Sequence, residues 1–416
     1  VTLLVKKGTI TMPTTTQSVA VTGVGFEPKA IIFWCSEQTA TGNAAQGKLS
    51  VGFATSSSQR KCLTIGSADA VTVPTTQNVR LLSSNRCLIP KMTPGGTPEM
   101  TLDLTSMDPD GFTVALTVPG TSAAVVVHYL ALGGSDISNA FVGGSQPSAG
   151  SGSKAITGVG FIPDFVLMLT ANNTAIDSAN TAANISISAF TASKSATTAL
   201  RDQNVINSNT GNYQAASVTS ASITSSADTL DNQSTFTSMD ADGFTLNFSA
   251  RTTQSQFLYL CLKGGQYSVD VETQKTSAGT KSKTGVGFSP VGLFLFGANG
   301  ATNASLVATQ AKITVGGTDG TSVGSTSMVA TDNLATTDAN SWLSTTRVFQ
   351  HVTNPATTDA EASLTSLDAD GYTLDWTAAD ATAREFIGIA FGSVVSWTPE
   401  TNSPKTLHVV SGIGRW

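Results

Sequence analysis

The chain has 416 residues, a formal net charge of −6 and only 12% charged side chains. Its length suits several cores able to fold alone, and its charge disfavours a nucleic-acid binder, which needs clustered Lys and Arg. With 40% apolar residues it is not a disordered acidic or basic chain, and no apolar run reaches the 18 or so residues that span a bilayer.

The start, Val1-Thr2-Leu3-Leu4-Val5-Lys6-Lys7-Gly8, has its basic residues after too short an apolar run for a secretory signal. A first residue of Val reads as processing or as a literally translated GTG start, the second pointing to a bacterial or phage gene. Residues 1–21 read as an opening strand and approach, with Lys6-Lys7-Gly8 as a turn. Ser18-Val19-Ala20-Val21 alternates before the first motif, Thr22-Gly23-Val24-Gly25-Phe26-Glu27-Pro28. Its glycines permit unusual backbone angles or close approach, and Pro28, with no amide to donate, sits just before the next strand. That strand is Ala30 to Trp34, apolar on both faces and too short for a helix, hence central and buried on both sides. The glycine pair lacks the third glycine of a dinucleotide loop and precedes a strand, which argues against a dinucleotide fold.

Residues 36–100 follow, the most basic of three divergent middle segments. They hold Lys48, Arg60, Lys61, Arg80, Arg86 and Lys91 against Glu37, Asp69 and Glu99. Arg60, Lys61 and Arg86 are the residues expected to meet a partner. Cys35, Cys62, Cys87 and Cys261 have neither metal spacing nor a repeating framework, so small buried thiols are expected, with a Cys62–Cys87 bridge left open.

A second motif, Thr-Ser-Met-Asp-Pro-Asp-Gly-Phe-Thr, spans Thr105 to Thr113. It reads as a hairpin turn between alternating strands, the later one presenting Phe112, Val114 and Leu116 on one face. A short apolar run, His128 to Gly134, closes the unit.

All three signatures then recur in order. The glycine motif returns at Thr157 to Pro163 and Thr284 to Pro290, 135 residues from Gly23 to Gly158 and 127 from Gly158 to Gly285. The aspartate motif returns at Thr237 to Thr245 and Thr365 to Thr373. The closing run returns at Tyr259 to Gly265 and, more divergently, at Ile387 to Gly392. The chain is therefore a tandem triplet with spacings of one ordinary domain. No segment keeps a 3.6-residue period, so the expected fold is all-β. Three tandem β-sandwich domains, jelly-roll-like, of about 130 residues and seven or eight strands each are expected. Their expected bounds are 1–137, 138–270 and 271–398, followed by an extended C-terminal arm over 399–416 that pairs with a domain edge or a neighbour.

Asp108 and Asp110, Asp240 and Asp242, and Asp368 and Asp370 are the best ligand candidates, since carboxylates two apart at a turn suit Ca²⁺. The expected reading is blander: Asp as a turn former capping its own backbone. No metal and no cofactor is expected. His128, His351 and His408 are too scattered for a triad or a zinc site without convergence, and no nucleophile elbow or His-Glu-x-x-His occurs. A glycosidase needs only two carboxylates at a set separation, which leaves that reading open.

The Thr-Gly-Val-Gly-Phe-x-Pro motif with its apolar strand, the Asp-x-Asp-Gly-(Phe/Tyr)-Thr hairpin and the Tyr-Leu-x-Leu run resemble a repeat of tailed-bacteriophage virion structural proteins. The resemblance covers the shared parts of all three copies, about half the chain. It implies a non-enzymatic protein located in the virion, with other capsid or tail proteins, or further copies of itself, as partners. Three fused homologous units suggest a pseudo-trimer acting as a capsid decoration or cement protein. The alternative is a tail or head fibre module that binds host-surface carbohydrate, with Tyr213 and Trp342 as the aromatic candidates. A secreted glycan-active enzyme is the third expectation. Neither nucleic acid nor membrane insertion is expected.

Overall fold

The described residues form strands, favoured by their many β-branched and aromatic side chains, and contain no helix. The structure, a computed structural model, describes residues 2–72, 78–147, 150–203, 210–223, 230–250, 254–298, 300, 303–307, 310–331, 334–353, 357–378 and 380–394. The arm over 399–416, and His408 within it, lie outside them.

The first third of the chain supplies β1 (Leu4–Thr11), β2 (Gln17–Val21), β3 (Pro28–Cys35), β4 (Gly42–Ala45), β5 (Gly47–Ala54) and β6 (Arg60–Ser67). It continues with β7 (Asn78–Ser83), β8 (Leu88–Met92), β9 (Pro98–Asp108), β10 (Gly111–Thr117) and β11 (Val126–Gly133). The second supplies β12 (Asn139–Ser145), β13 (Gly152–Ile156), β14 (Phe165–Ala171), β15 (Asn180–Thr181), β16 (Ala183–Phe190) and β17 (Ser195–Asp202). It continues with β18 (Gly211–Ala216), β19 (Ser220–Ile223), β20 (Leu230–Asp240), β21 (Gly243–Ala250) and β22 (Gln256–Lys263). The third supplies β23 (Gln266–Thr273), β24 (Gly279–Thr284), β25 (Pro290–Ala298), β26 (Ser305–Val307), β27 (Gln310–Thr318) and β28 (Val323–Thr331). It ends with β29 (Ala339–Ser344), β30 (Phe349–Thr353), β31 (Thr357–Asp368), β32 (Gly371–Ala378) and β33 (Glu385–Gly392).

These strands build three seven-stranded and three four-stranded antiparallel sheets. In the first repeat the large sheet runs β1-β11-β3-β5-β6-β7 and the small one β2-β10-β9-β8, and the other repeats follow the same order. The strand expected to be central, β3, does lie between β11 and β5, buried on both faces. Its odd and even residues serve two different cores. Ile31 and Phe33 face the small sheet, where Phe33 and Tyr129 meet Phe112 edge-on at 5.7 and 5.1 Å. Ile32 and Trp34 face away, into a cluster that also takes Leu167, Ile185 and Leu260 from the second repeat and Phe294, Ile313 and Ile389 from the third. Each such side chain contributes about 1.5–3 kcal/mol on burial, so this shared core binds the three repeats into one folding unit.

The seventh strand of every large sheet comes from another repeat. β15 pairs with β7, β26 with β18, and β4 with β29. The second repeat thus completes the first, the third completes the second, and the first completes the third. The exchange is cyclic and closes on itself. The first junction is pinned by Arg80, only 8% exposed, whose guanidinium donates to Asn173 Oδ1 (2.6 Å), Ala182 O (2.6 Å) and the Thr181 carbonyl.

Several expectations change. Lys6-Lys7-Gly8 is not a turn but the middle of β1; Gly8 is there because a Cβ would fall 2.2 Å from the Tyr129 hydroxyl. Residue 270 lies inside β23, and the chain passes to the third repeat at Gly264-Gly265, both at positive φ. Among the described residues each repeat has eleven strands rather than seven or eight. The exchanged strands β4, β15 and β26 are only two to four residues long, with no apolar run to mark them. The large-sheet strands β5, β6, β16, β17, β27 and β28 put aliphatics on the shared core and mostly small residues on the other face, with Phe190, Arg201 and Lys312 among the exceptions. Buried hydroxyl pairs such as Ser50–Thr64 (2.8 Å) and Thr314–Ser327 (2.9 Å) link neighbouring strands there.

Candidate functional site

The two repeated motifs meet in space. Asp110 accepts the Gly23 amide on Oδ2 (3.0 Å) and the Gly25 amide on Oδ1 (2.7 Å), while its backbone carbonyl accepts Val24 N–H (3.2 Å). Asp242 treats Gly158 and Gly160 the same way (2.9 and 2.6 Å), and Asp370 treats Gly285 and Gly287 so (3.0 and 2.6 Å). These hydrogen bonds hold the Asp110 and Asp242 carboxyls below the usual carboxylate range. The aspartates are therefore not capping their own turn, as expected from sequence, but fastening a loop that lies more than eighty residues earlier.

The other motif positions serve the same construction. Asp108 accepts from Ser106 and Thr113 (both 2.7 Å), and Asp240 and Asp368 accept from the corresponding serines and threonines. Thr105, Thr237 and Thr365 are the unpaired residues of a bulge in each hairpin. Gly111 has no room for a side chain: a Cβ would sit 1.9 Å from Val21 O. Among the described residues no group of three or more His, Cys, Asp or Glu side chains is placed to hold a metal ion. The repeated carboxylates thus act as clamps of the fold.

The three cations expected to meet a partner lie close together but are already engaged. Arg60 donates to Asn85 O (2.6 Å) and Leu104 O (2.8 Å), and lies 3.5 Å from Asp103, which also pairs with Arg86. Lys61 donates to Ser84 O (3.2 Å). Tyr213 is buried at 2% exposure and accepts from Gln233 (2.8 Å), so it offers no sugar platform; Trp342 is half-buried in β29 beside β4.

All four cysteines are free and buried, so Cys62 and Cys87 form no bridge. Burial pushes the Cys35 thiol up to about 12. His128 and His351 are fully buried, each near a lysine: Lys7 for the first, Lys312 for the second. Burial and those ammonium charges lower both, His351 to about 3.

A cleft lined by four ionised side chains was not singled out from sequence. It has a volume of about 530 Å³ and lies between the loop 36–46 and the turn after β8. Glu37 pairs with Lys48 at 2.5 Å and Glu99 with Lys91 at 3.4 Å, all four side chains being 13–17% exposed. Burial raises the Glu37 carboxyl against the pull of Lys48. The available signal was the excess of charge in residues 36–100 of a chain otherwise poor in it.

Comparison with protein-family models finds no match to the chain, and comparison with curated proteins finds none.

Proposed function

We propose that the chain is a non-enzymatic structural protein of a tailed-phage virion, a capsid decoration or cement protein. It would work as a single-chain pseudo-trimer of three β-sandwich domains, each a large and a small sheet. The cyclic exchange of β4, β15 and β26 is the observation that carries the reading. One chain presents three equivalent units in a closed ring, the symmetry that a threefold or quasi-threefold capsid position asks of its ligand. The pairing of Arg60 and Arg86 with Asp103 and the low charge overall fit a surface that binds through loops and apolar patches. The fibre reading loses Tyr213 to the interior. Gradient-purified particles imaged by electron cryomicroscopy test the proposal. Three-lobed density on threefold or quasi-threefold capsid positions supports it. Absence of the protein from particles, or density only at the tail, overturns it.

A further inference from the structure

The cleft at the loop 36–46 goes beyond the virion reading and stands without it. After β3 the chain crosses to the third repeat, runs along its sheet as β4 and returns at Gly47. Gln38 pins the crossing from both sides, donating to Gly42 O (3.0 Å) and to Ser341 O (3.2 Å). Gln46 N–H donates to Ala339 O (2.7 Å). These hydrogen bonds and the β4–β29 pairing fasten this wall of the cleft to the third repeat's sheet.

The backbone is strained on both sides of the crossing. Glu37 has φ 65° and Gln46 φ 77°, left-handed values that a residue with a side chain disfavours. Glycine would serve the backbone better. A glutamate at 37 keeps a carboxylate in the cleft. The corresponding acid of the second repeat's crossing, Asp177, is taken up by Ser83 and Ser84 of the first repeat instead.

The chemistry of the lining selects a ligand class. Two lysines and two glutamates make the cleft neutral overall. An anion would meet Glu37 and Glu99, and a cation would meet Lys48 and Lys91. Lys48 Nζ has Glu37 and Met92 O as acceptors, and Lys91 Nζ has Glu99 and Thr121 O. Each ammonium carries three N–H donors, so one remains on each, and the carboxylates keep free lone pairs. Donors and acceptors side by side, without net charge, match groups that do both, namely hydroxyls. The volume falls within the range of about 300–1,000 Å³ usual for small-ligand sites. We propose that this cleft binds a neutral saccharide unit.

Saturation-transfer NMR on the full chain, with the methyl glycosides of glucose, galactose, N-acetylglucosamine and rhamnose, is the test. At least one glycoside should show saturable transfer. The substitution Asn43→Trp, at an exposed residue of β4 that lines the cleft, should abolish it without changing the thermal midpoint. Glu37→Gln should weaken it at least tenfold. Transfer from none of the four overturns the proposal, as does transfer that survives Asn43→Trp in a folded variant. Preference for sialic acid or glucosamine over the neutral sugars overturns the charge argument, and cleavage of the bound glycoside overturns the reading of the cleft as a binding site only.

Discussion

Asp110 Oδ1 and the Gly25 amide stand 2.7 Å apart across 85 residues of chain. The same contact closes the second repeat at 2.6 Å and the third at 2.6 Å. It explains why the two motifs recur together: each glycine loop is held in place by the hairpin that follows it much later. Replacing Asp110 by Ala should speed hydrogen exchange at Gly23 and Gly25 by about tenfold, the loss of one hydrogen bond of ordinary strength per amide. Exchange at Gly158 and Gly160 should stay unchanged. Equal protection in the variant would mean the clamp does not order the loop.

Glycines of the two motifs should differ in cost. Gly111→Ala drives a Cβ to 1.9 Å from Val21 O, so backbone must move, at about 3 kcal/mol. Gly23→Ala meets open space and carries only the left-handed penalty of φ 77°, about 1 kcal/mol. Urea midpoints of the two variants check the order, and the reverse order would contradict the packing at Gly111.

Much of this was legible in the sequence. The all-β fold, the strand Ala30 to Trp34 and the alternating face of Phe112, Val114 and Leu116 all stand where the pattern put them. The exchange was not, because β15 is two residues long and β26 three, and neither Asn180-Thr181 nor Ser305-Leu306-Val307 carries a period to detect. Tyr213 was misplaced for a related reason. An aromatic in a divergent segment looks exposed until a neighbouring strand covers it, here with Gln233 satisfying its hydroxyl.

Arg80 holds the first junction, and burial lowers its guanidinium to about 10. Arg80→Ala leaves the carbonyls of Ala182 and Thr181 and the amide of Asn173 without their donor. A loss of about 3 kcal/mol is expected, as for charged hydrogen bonds removed from one side. Arg80→Lys should recover less than half, because an ammonium does not reproduce the planar fork. Full recovery by Lys would contradict the geometric role.

His351 predicts acid sensitivity. Its folded value near 3 lies below the unfolded value near 6.5, so its stability contribution is complete above pH 6.5 and is lost as pH falls towards 3. The groups acting on it are Lys312 and Arg384, which disfavour its proton, and Asp380, which favours it. Between pH 7 and 5 the loss should be about 2 kcal/mol. His351→Leu should remove that part of the drop, as read from urea midpoints at both pH values. An identical drop in the variant would show that this histidine is not the source.

The ring closes through the contact that joins the first repeat to the third. Ala45 on β4 lies opposite Asn340 on β29, a cross-strand pair at a separation a disulfide can span. The measurement is the oxidation product of the Ala45→Cys, Asn340→Cys variant, followed by non-reducing electrophoresis and peptide mass mapping. A ring predicts a monomer with an intrachain 45–340 bridge in high yield. Free thiols, or bridges formed only between chains, would mean that the three repeats run in a line and that the cyclic exchange is wrong.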